Sequence, residues 1–372
     1  MSAEPSAQAE LSIQAEPSAH AVKQRAAVEQ LPAYVQGKSV PNAVKLSSNE
    51  NPYPPLASVL DVTRAKLESF HLYPDMGATQ VRQRIADHLG VSLDEVAVGA
   101  GSVEVAQQLI NASADEGDEV IFAWRSFEAY PILVQIAGAT PVRVPLTADE
   151  RHDLDAMAAA ITPRTRLIFI CTPNNPTGTT VSADEAEAFL ARVPSDVLVV
   201  IDEAYTHFDT DSNSVNGLDL FRRYPNVAVL HTFSKAYGLA GLRIGYAVAN
   251  ERIAGNLRRV AVPFGVSDLA QAAAIASLDA ETELQQRIDQ IVSERTRLLQ
   301  AVRDAGWHTP DSFGNFIWLR TGERTPEIDE TLKQGGVVAR AYGAEGIRIT
   351  VGDRDMNDRF LSALQGITPV SF

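Results

Sequence analysis

The chain has 372 residues, 45 % hydrophobic and 21 % charged, enough for a sizeable core and, at roughly 150 residues per domain, about two domains. Its 47 acidic and 32 basic residues give a formal charge of −15, which disfavours nucleic acid or an anionic membrane surface as partner, because both call for a basic face. One cysteine, Cys171, excludes a disulfide framework and a multi-cysteine metal site, and apolar runs such as Val197–Ile201 fall far short of a membrane span.

Residues 1–25 are rich in Ala, Glu, Ser, Gln and Pro, and Ala3-Glu4-Pro5-Ser6-Ala7 returns as Ala15-Glu16-Pro17-Ser18-Ala19. With no basic start and no apolar run, the segment is not a secretory signal. It carries too little apolar surface to offset its ordering entropy, so a disordered tail is expected. A short helical stretch is expected around Ala21–Gln30, and residues 26–50 are expected to pack with a smaller domain. The protein is expected in the cytoplasm.

From about Asn51 to Asn250, short β-branched runs alternate with helical patterns. The runs are Glu95–Val98, Val120–Ala123, Val142–Val144, Leu167–Cys171, Val197–Ile201, Val227–Leu230 and Ile244–Val248. Helical spacing lies between most of them, as at Val103–Ala112 and Ala183–Ala191. Strands separated by helices predict crossover connections and a mainly parallel sheet, an α/β fold. Runs that are apolar throughout predict strands covered on both faces. A long helical pattern over Leu269–Ala305, broken only by short polar turns, precedes two further strand-like runs, Asn315–Leu319 and Gly346–Val351, separated by a helix. The expected division is a large α/β/α domain over 51–265 and a smaller α+β domain over 266–372.

Ligands in parallel sheets sit at the carboxyl ends of the strands, so the residues that follow each run carry the functional reading. After the first run, Gly99-Ala100-Gly101-Ser102-Val103 opens a helix, where free N–H groups and the helix dipole favour an anion. Position 104 is Glu, so the third glycine of a dinucleotide fingerprint is missing. Trp124-Arg125-Ser126-Phe127-Glu128-Ala129-Tyr130 follows the second run, where an aromatic suits stacking on a flat ring, or simple core packing. After the fourth, Thr172-Pro173-Asn174-Asn175-Pro176 forms a constrained loop around Asn175. Asp202 ends the fifth run, poorly solvated and in need of a cationic or hydrogen-bonding partner. After the sixth, Thr232, Ser234 and Lys235 are followed eight residues on by Arg243. Burial would free the lysine amine to attack a carbonyl, and the arginine fork suits phosphate.

Each feature is ambiguous alone, but together they describe a pyridoxal phosphate site. That cofactor needs a lysine, a carboxylate on its ring nitrogen, a phosphate cradle, a stacking ring and a donor to its phenolic oxygen. The chain over about 30–368 closely resembles the fold-type I aminotransferases, in the histidinol-phosphate and aromatic branch. The resemblance rests on Asn49-Glu50-Asn51-Pro52-Tyr53, Tyr73-Pro74-Asp75, Asn174-Asn175-Pro176-Thr177-Gly178, Asp202-Glu203-Ala204-Tyr205, Ser234-Lys235 through Arg243, and Arg348.

The resemblance implies that Lys235 carries the cofactor as a Schiff base and shuttles a proton, while Asp202 pairs with the ring nitrogen. It implies that Asn175 and Tyr205 bond the phenolic oxygen and Phe127 stacks on the ring. Ser102, the backbone at Val103, Thr232, Ser234 and Arg243 would hold the phosphate. Tyr53 would reach it from a partner subunit, implying a homodimer with shared active sites. Arg348 would bind the substrate carboxylate, with Asn51 and Asn315 lining that end. Val103 departs from the acidic or amide residue that many members carry there, and this stretch with Trp124–Tyr130 looks more like the aromatic branch. Tyr34, Trp124, Tyr130 and Phe264 are candidates for an apolar substrate pocket or, equally, for the core.

The resulting expectation is transfer of an amino group from Phe, Tyr or Trp to 2-oxoglutarate. The alternative is histidinol-phosphate aminotransferase. A nicotinamide-dependent oxidoreductase leaves Lys235, Asp202 and Asn175 unexplained. A cofactor-binding regulator would add a DNA-binding module, for which the 25-residue tail is too short. Decarboxylation or β-lyase chemistry on the same scaffold stays open.

Overall fold

The computed structural model describes residues 22–29, 31 and 41–370. Its strands in chain order are β1 (Val44–Lys45), β2 (Val96–Gly99), β3 (Glu119–Trp124), β4 (Thr140–Pro145), β5 (Thr165–Cys171), β6 (Leu198–Asp202), β7 (Val227–Thr232), β8 (Gly245–Val248), β9 (Phe316–Arg320), β10 (Val337–Val338), β11 (Arg340–Tyr342) and β12 (Gly346–Thr350). Seven of them form one sheet in the order β2-β8-β7-β6-β5-β3-β4. β7, β6, β5, β3 and β4 pair in parallel, and β8 runs antiparallel to both β2 and β7. This is the expected mainly parallel α/β/α architecture.

Successive residues of a strand point to opposite faces, and here both faces are buried. Leu167, Phe169 and Cys171 join one core with Val105, Leu109 and Tyr130. Ile168 and Ile170 join the opposite core with Met157, Phe189 and Leu220. The helices Ser102–Ser113, Ala129–Ala137 and Glu251–Val260 thus cover one face. Leu154–Ala159, Ala183–Leu190 and Gly217–Arg223 cover the other. Ala183–Leu190 begins on a reciprocal cap, Ser182 Oγ accepting from the Glu185 amide while the Glu185 carboxylate accepts from the Ser182 amide.

The smaller α+β part is the antiparallel sheet β11-β12-β9, with Thr325–Gln334 and Arg354–Leu364 packed around it. β1 pairs in parallel with β10, and Leu46 bridges on to Val338 and Thr350 through its backbone. Residues 44–46 therefore lie with this part. The short helix Ala26–Glu29 instead lies against Ala129–Ala137 on the large sheet's side, where the Arg25 guanidinium donates to the Ile136 carbonyl at 2.8 Å. Residues 1–21, which carry most of the expected tail, lie outside the described residues, as does Tyr34.

The pattern over Leu269–Ala305 resolves into two helices, Asp268–Asp279 and Glu281–Asp304. The first buries alanines against Ala57–Ala65 and Thr79–Leu89. The second buries Leu284, Ile288, Ile291, Leu298 and Val302 at helical spacing. Packing is continuous across the expected boundary at 265/266, because Phe233 and Tyr246 share one buried cluster with Ile347 and Phe360. Among the described residues no helix is long and apolar enough to cross a membrane.

Candidate active site

The carboxyl ends of β5, β6 and β7 and the loop after β2 open into a cavity of about 660 Å³. Ser102, Val103, Phe127, Asn175, Asp202, Tyr205, Thr232, Ser234, Lys235, Arg243 and Arg348 line it, residues spread over most of the chain.

Lys235 lies three residues beyond β7, and its Nζ donates to the Ser48 carbonyl at 3.0 Å. Burial, aided by the Arg348 cation, brings its amine down to about 7, and Glu50 opposes the shift. Asp202 ends β6 in a buried position. Its Oδ2 accepts from the Tyr130 hydroxyl at 2.5 Å and its Oδ1 from the Ala204 amide at 3.2 Å. Burial pushes this carboxyl up to about 6, against the lowering effect of those two bonds. A cationic ring N–H is the kind of partner such a carboxylate lacks.

At another wall, Arg348 donates from Nη1 to Asn175 Oδ1 at 2.5 Å and from Nη2 to the Ser47 carbonyl at 2.6 Å. Its Nε is buried without a hydrogen-bond partner. The Tyr205 hydroxyl accepts from Asn49 Nδ2 at 3.0 Å, and burial raises its phenol well above the ordinary range.

The loop after β2 supplies a tight cradle. Gly101 has φ +82°, and a Cβ there would lie 2.3 Å from Arg243 Nη2. A Cβ on Gly245 would lie 2.4 Å from the Ser102 amide nitrogen. Only glycine permits both close approaches. Arg243 itself is held in the left-handed region at φ 56°, with Nη1 bonded to the Ala240 carbonyl at 2.9 Å. The guanidinium thus faces the helix opening at Ser102, the geometry of an anion site.

Three expected site residues lie outside the cavity lining. Asn51 donates to the Ala236 carbonyl at 2.9 Å and accepts from the Tyr53 amide at 3.0 Å, so it braces the backbone beside Lys235 instead. Asn315 is buried and donates to the Asn49 carbonyl at 3.1 Å. Tyr53 packs partly buried beside the core. Of the apolar-pocket candidates, Tyr130 sits beneath the floor at 0 % exposure. Trp124 lies under the Arg125 and Arg143 guanidiniums. Phe264 pairs with Tyr73 at 4.6 Å, away from the lining.

Other contacts escaped the sequence reading. Asn49, two residues before the expected Asn51, is the one that reaches Tyr205, and its backbone has φ 52°. At the mouth, Arg340 on β11 forms a two-pronged ion pair with Glu128, at 3.1 and 3.0 Å, and Lys45 pairs with Glu50 at 2.7 Å. All four line the cavity.

A mainly parallel sheet with a buried lysine, carboxylate and arginine around one cavity is an arrangement of the fold-type I aminotransferase kind. The comparisons agree. The profile of the family "Aminotransferase class I and II" matches residues 41–364, and the chain belongs to that family. The aromatic amino acid aminotransferase of Cutibacterium acnes is 58 % identical over 92 % of this chain and 97 % of its own. That of Streptomyces coelicolor is 57 % identical over 91 % and 96 %. Among solved structures, histidinol-phosphate aminotransferase from Sinorhizobium meliloti in complex with pyridoxal-5'-phosphate aligns with TM-score 0.85 and 26 % identity, over 93 % of this chain and 98 % of that one.

Proposed function

We propose that the protein binds pyridoxal phosphate in this cavity and moves the amino group of Phe, Tyr or Trp to 2-oxoglutarate by a ping-pong mechanism. The observation that carries the chemistry is the Lys235 amine, buried in a cavity whose lining also includes Asp202, Arg243 and Arg348. The donor set fits the cofactor: a glycine-walled cradle with Arg243 for its phosphate, and a buried carboxylate for its ring nitrogen. The aromatic substrate class is supported by the curated relatives at 58 % and 57 % identity that carry that activity in their names.

When bound, pyridoxal phosphate supplies an electron sink for the electron pair left when the substrate Cα–H bond breaks. Lys235 is the covalent anchor and then the proton carrier. Burial lowers its amine toward neutrality, which suits a group that must accept and return a proton. Asp202 holds the ring N–H. Asn175 points its carbonyl at Arg348, which leaves its Nδ2 as the donor toward the phenolic oxygen, with Tyr205 beside it. Phe127 stacks on the ring. Ser102, Val103, Thr232, Ser234 and Arg243 hold the phosphate. Arg348 grips the substrate carboxylate with its fork and fixes the Cα–H bond relative to the ring.

A homodimer with shared sites is part of this proposal. Phe70, Tyr73, Met76 and Phe264 are exposed, and the Tyr73 and Phe264 rings lie against each other, an apolar patch suited to burial by a second copy. Tyr53 would then complete the partner's phosphate site.

The second reading is histidinol-phosphate transamination, favoured by the aligned structure at 26 % identity. The mouth argues for neutral side chains: Arg340 and Lys45 are each already matched by a glutamate. Comparing rates with phenylpyruvate and with imidazole-acetol phosphate separates the two. Faster turnover of phenylpyruvate supports the aromatic reading, and faster turnover of the phosphate rejects it.

A further inference from the structure

We propose that Tyr130 is a positioning residue that fixes the orientation and charge of Asp202 and, through the same ring, the seat of Phe127. Tyr130 stands in the first turn of Ala129–Ala137, fully buried, and its hydroxyl bonds Asp202 Oδ2. Its ring is stacked on Phe169, with centroids 4.4 Å apart and planes at 13°. The ring also meets Phe127 edge-on, at 5.4 Å and 88°. One side chain therefore touches both Asp202 and Phe127, which line the cavity from different segments. The inference rests on the reading of Asp202 as partner of the cofactor's ring nitrogen.

The physical reason is a competition. Burial favours a neutral Asp202, yet only the carboxylate pairs with a ring N–H. A hydroxyl that donates to the carboxylate opposes protonation and, with the Ala204 amide on the other oxygen, stops the group from rotating. The titratable groups facing Asp202 are Tyr130, Cys171 beside it on β5, His231 on β7 and Glu203 next in the chain. His231 is itself engaged with Glu203 at 3.1 Å, and the Cys171 thiol donates weakly to the Pro173 carbonyl. Tyr130 is the side chain that bonds Asp202 directly.

The test is Tyr130→Phe, which removes one oxygen and keeps the ring contacts. In apoprotein carrying ¹³C-labelled aspartate, the buried Asp202 resonance is followed against pH, and pyridoxal phosphate affinity is measured on each protein by absorbance. The expected results are an upward shift of the Asp202 midpoint and a cofactor affinity about tenfold weaker, the effect of losing a hydrogen bond to a charged group. An unchanged midpoint together with unchanged affinity overturns the proposal, since packing alone would give that result. If Tyr130→Phe does not fold, site-specific fluorotyrosine at position 130 replaces it. A more acidic phenol is a stronger donor, so the midpoint must fall, and no movement overturns the proposal. Wild-type protein that fails to bind pyridoxal phosphate rejects the underlying cofactor reading instead, and the apoprotein titration still decides the Tyr130–Asp202 coupling.

Discussion

Arg348 on β12 and Asn175 in the loop after β5, 173 residues apart, are joined by a 2.5 Å hydrogen bond from Nη1 to Oδ1. The bond sets which end of the Asn175 amide faces Arg348, and so links the proposed substrate clamp to the proposed cofactor contact. Arg348→Lys keeps a charge but loses the fork. It is expected to lower kcat/KM for the amino donor by roughly 100-fold and to shift the visible spectrum of the holoprotein. Steady-state kinetics and absorbance check both, and a normal spectrum would mean that the link to Asn175 is idle.

Asp202 gives a pH-dependent stability in apoprotein. Its folded value, about 6, lies above the ordinary unfolded value near 3.9. The folded state therefore binds more protons between those values, and stability falls as pH rises through the window. Asp202→Asn apoprotein is expected to be more stable than wild type at pH 7, by up to about 3 kcal/mol, with the gain fading toward pH 4. The same variant is expected to lose at least ~100-fold in turnover. Melting curves at both pH values test the sign, and a wild-type advantage at pH 7 would contradict it.

The phosphate cradle depends on close approach at Gly101. Gly101→Ala puts a methyl group against Arg243 at a backbone angle that disfavours any side chain. Cofactor affinity is expected to drop by ~10-fold or more, measured by fluorescence titration. Gly241→Ala, where a Cβ meets nothing within 4 Å, is the matched control and is expected to bind normally.

At the mouth, Glu128 neutralises Arg340. Glu128→Gln removes one negative charge from the mouth and is expected to raise kcat/KM for substrates with anionic tails relative to phenylpyruvate, by ~10-fold. A substrate panel on the two proteins reads this directly. An unchanged ratio would remove the mouth from the specificity account.

The parallel sheet was legible because its central strands are buried on both faces and read as unbroken apolar runs. The residues at the carboxyl ends of those strands were legible too, since local order alone positions Asp202, Lys235 and the helix opening at Ser102. What escaped depends on distant parts of the chain meeting. The Tyr130–Asp202 bond spans 72 residues and the Glu128–Arg340 pair 212, and no local spacing encodes either. The Asn49–Tyr205 bond spans 156 residues and depends on a backbone turn at Asn49, with φ 52°, that local sequence does not announce. Tyr130 looked like a pocket residue because an aromatic after a strand suits a mouth or a core equally.

The central claim is that Lys235 is the covalent anchor of the cofactor. Holoprotein reduced with borohydride, digested and mapped by mass spectrometry is predicted to carry one pyridoxyl group, on the peptide that contains Lys235. A label on another lysine, or none on protein that has taken up pyridoxal phosphate, would contradict the account.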